Sequence, residues 1–456
     1  MAKRQTVDMC DGPLLRNILL YALPLMASGL LQLLYNAADM IVVARFAGGT
    51  ALAAVGSNGP LVNLIVNVFV GLSVGASVLI SRYYGAKDKK NLGESVHTAM
   101  GISVICGIFT MFVGVLVSGI ALKIMSTPYD VIDQATLYLR IYFLGMPGLM
   151  VYNFGSAIMR AVGDTKRPLY ILFGSGIINV LLNLVLVIGL KMDVAGVAIA
   201  TTVSQYVSAI CVVVCLMKTT DSYRFEIRKM RIYKDKLVFM LRHGIPAGIQ
   251  GSIFSLSNII IQSSVNSFGS AVMSGNSAAA NVEGFVYVAM NSMHHTCLAF
   301  SSQNIGAGRN ERLPKIFRAC MVIVTVTGLV LGWAMYFLGD QLLVLYTADS
   351  SVVSTVSPEQ IIYYGKLRLG VISTSYFICG IMDVLVGALR GMGSSLVPML
   401  VSIGGVCGVR ILWIFTVFKF IYHSPESLYL SYTVSWIITA VIQYICYRKV
   451  RKKYLG

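Results

Sequence analysis

The chain contains long, continuous apolar runs that are almost free of charged side chains, such as GISVICGIFTMFVGVLVSGIAL at 101–122. The hydrocarbon core of a bilayer is about 30 Å thick, and a helix needs about 20 mostly apolar residues to cross it. Only helices and closed barrels satisfy their backbone polar groups in that layer. Because the runs are continuous and do not alternate with a period of two, we expect helices rather than barrel strands.

The composition is consistent with lipid as the surrounding solvent. Hydrophobic residues make up 56% of the 456 residues, charged residues make up 12%, and the mean hydropathy is +0.76. Soluble domains carry roughly 25% charged residues. The sequence therefore predicts an all-α integral membrane protein. We expect twelve transmembrane helices, at 15–44, 52–81, 93–123, 131–160, 168–190, 194–218, 237–268, 277–302, 314–345, 359–390, 396–420 and 428–447.

Basic residues collect in alternate loops between these spans. Most of the 36 Lys and Arg residues lie at the two ends of the chain or in the loops around 82–90, 160–167, 218–242 and 309–318. With an even number of spans, all these loops fall on one face, and the positive-inside rule makes that face cytoplasmic. We expect a multi-pass protein of the cell (inner or plasma) membrane with both termini in the cytoplasm. The net charge of +17 follows from this loop placement, so it does not indicate nucleic-acid binding.

The two halves of the chain resemble each other. RAVGDTKRP at 160–168 and RGMGSSLVP at 390–398 share an Arg, a Gly and a Pro. Each of these residues in the second segment lies 230 positions after its counterpart in the first. A polar stretch separates six spans from six, so we predict an N-terminal lobe (1–222), a cytoplasmic linker (223–236) and a C-terminal lobe (237–456). An even number of spans per half makes the repeats parallel, related by a pseudo-two-fold axis along the membrane normal. Two such lobes would leave a cleft between them, as alternating access requires.

Few ionisable side chains lie inside the spans. A charged group at mid-bilayer costs about 2.5–3.5 kcal/mol on insertion scales, so such groups face the bundle interior and mark functional sites. Asp39 lies in the first span, Glu283 in the eighth and Asp383 in the tenth. The repeat equivalent of Asp383 is Asn153, so this acid breaks the internal symmetry. We predict that the three acids bind a coupling cation, with Asp383 and Glu283 together forming a second acidic site; a structural acid paired with a distant Arg or Lys is the alternative.

Polar but uncharged side chains accompany these acids. Asn179 and Asn183 lie one turn apart on the fifth span, and Thr201 lies in the sixth. Their amide and hydroxyl oxygens are hard ligands that suit a small cation, although such groups also hydrogen-bond between membrane helices. Arg410, at the middle of the eleventh span, is assigned with Asn153 to the substrate cleft, and it could pair with one of the acids.

The motifs of several other classes of protein are absent from the sequence. No P-loop, HExxH or GxSxG motif occurs, so neither an ATP-driven pump nor a hydrolase is indicated. The nine cysteines include no CxxC pair, and no metal site is expected beyond a small hard cation at the coupling residues. We expect neither an enzyme nor a bound cofactor.

Several stretches, in their order and spacing, resemble the multidrug and toxic compound extrusion (MATE) family of bacterial type over the full length. They are Pro24 with LLQLLYNAADMIVVARFAG, GLSVGASVLISRYYGA, RAVGDTKRP, IPAGIQ, SSQNIGAGR and DVLVGALRGMGSSLVP. The resemblance implies export of amphipathic organic cations in exchange for Na⁺ or H⁺. Asp39, Asn179 and Thr201 match a cation site of Na⁺-binding relatives, whereas Asn183 stands where those relatives carry Asp. Asp383 matches the C-lobe acid of another branch, which pairs it with a Glu in the seventh span that this chain lacks; we hypothesise that Glu283 substitutes for it.

Three functions remain open from the sequence. The first is a cation-coupled antiporter that exports small organic cations, and we expect it to be a monomer in the lipid bilayer with no nucleic-acid partner. The second is a flippase for lipid-linked glycans, which would need many basic residues to hold phosphates; Arg140, Lys366, Arg368 and Arg410 are the candidates. The third is a non-transporting membrane scaffold, in which Asp39 and Asp383 would tolerate Asn. The small number of basic candidates favours the antiporter.

Overall fold

The protein is helical in this computed structural model, which describes residues 6–47, 49–125, 127, 129, 131–347 and 357–455. The described part of the chain contains no β-strand. In the first half the helices are α1 Leu14–Val42, α2 Gly49–Gly85, α3 Lys89–Ile124, α4 Ile132–Leu144, α5 Met146–Ala161, α6 Lys166–Asn183 and α7 Asp193–Lys218. In the second half they are α8 Lys234–Asn266, α9 Ser270–Gly306, α10 Leu313–Phe337, α11 Gly339–Thr347, α12 Pro358–Gly391, α13 Leu396–Ser402, α14 Val409–Trp413 and α15 Pro425–Leu455.

π-Helical segments extend or interrupt several of these helices. They are Val43–Ala47, Leu184–Gly189, Ile403–Gly408 and Ile414–Ile421. Two 3₁₀ turns, Ile227–Lys229 and Asn310–Arg312, precede α8 and α10. Single-turn π-helical insertions in α-helices are rare and occur frequently at functional sites.

Among the described residues, ten helical segments are long and apolar enough to cross a membrane, and the bent pair α4–α5 makes eleven. The bend between α4 and α5 is 47°, at a break that contains Gly145. The predicted span at 277–302 corresponds to α9, which has 37 residues and is long enough to cross. It is not among the ten because its sequence carries Glu283, two His and several Asn and Ser residues.

Apolar side chains cover the outer surface of the helix bundles as well as filling their cores, and many polar side chains of the spans are buried, as expected for a protein surrounded by lipid. On α3, Leu116 is 73% exposed and Ile124 is 77% exposed, whereas Ser103 is fully buried. On α9, Thr296 and Ser302 are fully buried. Helices in lipid associate through packing and hydrogen bonds rather than through the hydrophobic effect, and this distribution of side chains reflects that.

The repeat seen in the sequence recurs as backbone geometry. Gly163 and Gly393 end their helices in the left-handed region, with φ of 96° and 83°. In both turns the N–H of the residue that follows the glycine donates to the carbonyl of the residue five positions before that donor, at 2.9 Å. This is the hydrogen bond of the Schellman motif. Lys87 and Gly308 form a second matched pair, with φ of 57° and 70° and the same bond at 3.1 and 2.8 Å. Equivalent turns therefore occur at equivalent points of the two halves.

The chain divides into two compact units. Unit 1 comprises Met1–Cys10, Leu23–Ser252 and Gly306–Gly308; unit 2 comprises Asp11–Ala22, Ile253–Ile305 and Arg309–Gly456. The two units group residues that lie close together in space. The division of the chain into two lobes at the linker 223–236 stays a prediction. Within unit 1, α2 and α8 pack glycine against glycine, and a Cβ at Gly71 would overlap the backbone of Gly248. Such small residues let membrane helices approach closely.

The predicted linker is hydrogen-bonded to α3 within unit 1. The His97 ring accepts the Glu226 N–H at its Nε2 (3.2 Å), while its Nδ1 lies 2.7 Å from the carbonyl of Gly93, one turn back. A second linker amide, Tyr233 N–H, donates to the Thr98 hydroxyl at 3.1 Å. Because the Gly93 carbonyl can only accept, Nδ1 must carry a proton, and a neutral His97 ring then has Nε2 free to accept.

Candidate functional site

Asp39 lies near the end of α1, and α6 supplies its polar contact. Asn183 Nδ2 donates to Asp39 Oδ1 at 2.5 Å and lies 3.3 Å from Asn179 Oδ1. Asn179 and Asn183 are 5% and 1% exposed; their spacing of one helical turn places both on the face that meets α1. The structure thus brings together three of the residues selected from the sequence, and their role in ion coupling stays a prediction.

Asp39 and Asn179 border a cavity of about 300 Å³ inside unit 1. Thr201, on α7, lies in the same cavity wall as Asp39 and Asn179, and its hydroxyl donates to the Val197 carbonyl at 3.0 Å. The volume is at the lower end of the range for ligand pockets. The remaining lining residues are Gln32, Tyr35, Asn36, Tyr138, Tyr142, Leu149, Tyr152, Leu172, Ser175, Gly176, Ser204, Gln205 and Ser208.

Sequence reasoning missed the aromatic and amide part of this wall. Tyr138 and Tyr142 stand one turn apart on α4 with their rings stacked at 6.1 Å between centroids. Tyr35, one turn before Asp39 on α1, donates to the Phe173 carbonyl at 3.2 Å. The helical spacing of these tyrosines was available in the sequence, but tyrosines at such spacing also fill ordinary helix interfaces.

The electrostatics of the cavity are dominated by Asp39. Within the described residues its side-chain partner is the neutral Asn183 rather than a Lys or an Arg. The other amide atom of Asn183, Oδ1, is buried and accepts no hydrogen bond from a described residue. A carboxylate flanked by amide and hydroxyl oxygens can take up a proton or a small hard cation.

Asp383 lies on α12 in unit 2. Its backbone carbonyl lies 2.9 Å from His294 Nδ1 on α9. Its carboxylate Oδ2 is buried and makes no hydrogen bond to any described residue. Arg390, two helical turns further along α12, is close enough to interact with it electrostatically. Asp383 is therefore a half-buried acid whose Oδ2 is buried and has no hydrogen bond within the described residues.

Glu283 is paired with a base rather than grouped with Asp383. Arg368 donates from Nε to Glu283 Oε1 at 3.0 Å and from Nη2 to Oε2 at 2.7 Å. Arg368 Nη1 also donates to Asn276 at 2.6 Å. Arg368 and Asp383 are 15 residues apart on α12, about 22 Å along a helix axis. The expected joint acidic site of Glu283 and Asp383 is corrected accordingly, because the Glu283 carboxylate is occupied by Arg368.

The two residues assigned to the substrate cleft have local partners. Asn153 Nδ2 donates to the carbonyl of Leu149 one turn back, at 3.0 Å. Arg410 is 4% exposed, donates from Nε to Ser435 at 2.9 Å, and lies 3.9 Å from the ring centroid of Tyr432. Arg410 therefore does not pair with one of the acids, contrary to one expectation from the sequence. The described residues contain no cluster of three or more His, Cys, Asp or Glu that could hold a metal ion.

Comparison with known families places this arrangement among membrane transporters. The MatE family model matches residues 24–185 and 246–416. The chain is 29% identical over 447 residues to the probable multidrug resistance protein YoeA of Bacillus subtilis (strain 168), covering 96% of this chain and 94% of that protein. It is 23% identical to the probable multidrug resistance protein NorM of Thermotoga maritima, covering 89% and 86% of the two chains.

Solved structures share the fold over the whole chain. A transporter of the MOP superfamily from Pyrococcus furiosus superposes with a TM-score of 0.91 at 19% identity, covering all of both chains. A multidrug resistance MATE family transporter in an outward-facing conformation superposes with a TM-score of 0.90 at 19% identity, covering 100% and 99%. The fold is therefore the twelve-helix, two-lobe membrane fold expected from the sequence.

Proposed function

Because the chain belongs to the MatE family of multidrug and toxic compound extrusion transporters, we propose that it is a cation-coupled antiporter. It exports amphipathic organic cations across the cell membrane by alternating access while Na⁺ or H⁺ enters. The names of its relatives, which are multidrug resistance proteins, support the class of substrate. The fold shared with transporter structures supports the class of process.

One observation carries the coupling part of the proposal. Asp39 borders the unit 1 cavity with Asn183 bonded to its carboxylate, and Asn179 and Thr201 lie in the same region. The buried, unbonded Oδ1 of Asn183 is an additional oxygen for an entering cation. Because Asn183 Nδ2 donates to Oδ1 of Asp39, the second carboxylate oxygen, Oδ2, can take up either a proton or Na⁺ without loss of that hydrogen bond. Both ions fit the donor set, and the experiment below distinguishes them.

Coupling then follows from competition between ion and drug. A ligand shifts a conformational equilibrium only by its difference in affinity for the two states. If the ion and the organic cation favour opposite states of the transporter, binding of one promotes release of the other, and the effect is reciprocal. The negative charge of Asp39 is the property that both cations can neutralise.

The remaining parts of the proposal come from the sequence. Both termini are cytoplasmic, the working unit is a monomer, and neither nucleic acid nor a cofactor takes part. A lipid-linked glycan flippase is the alternative function, but the pairing of Arg368 with Glu283 removes one of its few basic candidates. A scaffold without transport activity is distinguished by its tolerance of Asp39→Asn.

The test is dye export from proteoliposomes that contain purified protein, with an imposed Na⁺ or H⁺ gradient and ethidium as the organic cation. One gradient should drive export by the wild type, and Asp39→Asn should abolish it. Asp133→Asn, an exposed acid at the start of α4, is the matched control and should leave export unchanged. If neither gradient moves ethidium in the wild type, the antiport proposal fails and lipid flipping becomes the function to test.

A further inference from the structure

One face of the last helix, α15, changes from apolar to basic along its length. The exposed residues of its second half come in pairs every three or four positions, from 437–438 to 452–453, so they share one face of the helix. Between 437 and 445 these exposed residues are apolar, and Ile445 is 50% exposed. One turn further on, the same face carries four exposed cations, which are Arg448, Lys449, Lys452 and Lys453.

Helix α10 has the same arrangement, beginning at its own basic end. Lys315 and Arg318 are exposed on its first two turns. At the same helical spacing the face continues into Val322, which is 62% exposed, and then into Val326 and Trp333. Exposed apolar faces of spanning helices contact acyl chains, since lipid is the solvent there. On both helices, therefore, the face that meets acyl chains continues directly into a basic one.

The basic end of α15 extends beyond the hydrocarbon layer. The helix has 31 residues and rises about 46 Å, which is about 15 Å more than the thickness of the hydrocarbon core. The excess length places the cations after Tyr447 among the lipid head groups. The Tyr454 hydroxyl donates to the Met392 carbonyl at the end of α12, and this hydrogen bond holds the last turns of α15 against unit 2.

An aromatic contact joins the basic ends of α10 and α15. The rings of Phe317 and Tyr447 are buried and stack with their centroids 4.1 Å apart. Arg318 follows Phe317 in the sequence, and Arg448 follows Tyr447, so cations from both helices flank the ring pair. We call the exposed cations of the two helices the basic patch. Its members are Lys315, Arg318, Arg448, Lys449, Lys452 and Lys453.

The basic patch is poor in acids. No acidic residue occurs in the sequence between Glu311 and Asp340, and none occurs after Glu426. In contrast, the lysines at the start of α3 are accompanied by Asp88 and Glu94. The positive charge of the patch is therefore less offset by neighbouring carboxylates than that of the loop before α3, and it attracts anions more strongly.

We propose that the exposed faces of α10 and α15 form a binding site for an anionic phospholipid. The phosphate of the lipid binds the basic patch through charge-assisted hydrogen bonds, and its acyl chains lie along the apolar parts of the same faces. Clusters of Lys and Arg next to a span are typical sites for anionic lipids. This site goes beyond the proposed exchange of cations, because it gives the transporter a specific lipid partner.

The test is equilibrium gel filtration of purified protein in micelles of neutral detergent that contain one radiolabelled lipid at a time. The lipids are dioleoyl phosphatidylglycerol, which is anionic, and dioleoyl phosphatidylcholine, which has the same acyl chains and a zwitterionic head group. The wild type should bind phosphatidylglycerol about tenfold more tightly or better. In Lys449→Gln with Lys452→Gln, and in Lys315→Gln with Arg318→Gln, this preference should fall at least about fivefold. Lys449→Arg with Lys452→Arg keeps both charges and should keep the preference.

Lys89→Gln with Lys90→Gln is the matched control, because it removes two adjacent exposed cations at the start of α3. This control should keep the full preference, and an equal loss in it overturns the proposal, since the preference would then reflect only the total positive charge. Equal binding of the two lipids by the wild type also overturns the proposal, as does a preference that survives either Gln variant of the patch.

A soluble phosphate is the last alternative that the experiment addresses. An excess of glycerol 3-phosphate should leave phosphatidylglycerol bound, because it has no acyl chains for the apolar faces. Displacement of the lipid by glycerol 3-phosphate overturns the proposal. Since binding is measured at equilibrium and without an ion gradient, the result is independent of whether the protein is an antiporter.

Discussion

The buried pair of Glu283 and Arg368 leads to a prediction about stability. Both side chains are almost inaccessible, at 4% and 9% exposed, and two hydrogen bonds of 3.0 and 2.7 Å join them. Glu283→Gln keeps the shape of the side chain but leaves the arginine charge buried without its counter-charge. Removal of one partner from such a pair costs about 3–5 kcal/mol. We therefore expect the free energy of unfolding to fall by about that amount.

The assay is reversible unfolding of the detergent-solubilised protein in mixed SDS micelles, followed by circular dichroism. Asp340→Asn is the matched control. Asp340 forms an ion pair with Lys366, which lies on α12 two residues before Arg368, and this ion pair is exposed. Exposed ion pairs contribute little, so this variant should unfold with the wild type. The double variant Glu283→Gln with Arg368→Met should recover most of the loss, because it removes both charges from the interior.

Two results would refute this reasoning. One is a Glu283→Gln variant as stable as Asp340→Asn, which would mean that the buried pair contributes nothing beyond an exposed one. The other is a double variant no more stable than the single one. If the double variant is stable but no longer transports, Glu283 also takes part in ion coupling, as the sequence suggested.

Two further predictions concern packing and the linker. Gly71→Ala should destabilise the protein by about 1–3 kcal/mol in the same unfolding assay, because its Cβ meets the Gly248 backbone. Gly59→Ala on the same helix, whose Cβ meets nothing within 4 Å, should cost far less. Equal losses of stability would contradict the close approach of α2 and α8. His97→Ala removes the acceptor of the Glu226 N–H. In limited digestion, trypsin should therefore cleave the basic linker of this variant several-fold faster than that of the wild type. An unchanged cleavage rate would show that this contact does not hold the linker.

The fold could largely be predicted because the signal in each span is strong and local. The apolar run predicted at 93–123 became Lys89–Ile124, and that at 194–218 became Asp193–Lys218. The break at Gly145 was not predicted, because it interrupts an otherwise continuous apolar run. Glycine is compatible with a bend there but does not require one.

The candidate site was predictable only in part. Asp39 and Asn183 meet across 144 residues of sequence, and their proximity was anticipated from family resemblance rather than from any local pattern. The Glu283–Arg368 pair was missed because the two residues lie 85 positions apart and several acids and bases were equally plausible partners. Which charges neutralise each other in a membrane interior depends on helix rotation, and helix rotation is set by packing across the whole bundle.

The most direct test of the account measures the ion that the drug displaces. Purified protein in a weakly buffered, detergent-containing solution is titrated with ethidium, while released protons are recorded with a pH dye and released ²²Na⁺ is counted. The account predicts that ethidium binding releases one of these ions from the wild type and neither from Asp39→Asn. Release of the same ion in equal amount from Asp39→Asn, or ethidium binding without release of either ion from the wild type, would contradict the claim that Asp39 couples the two cations.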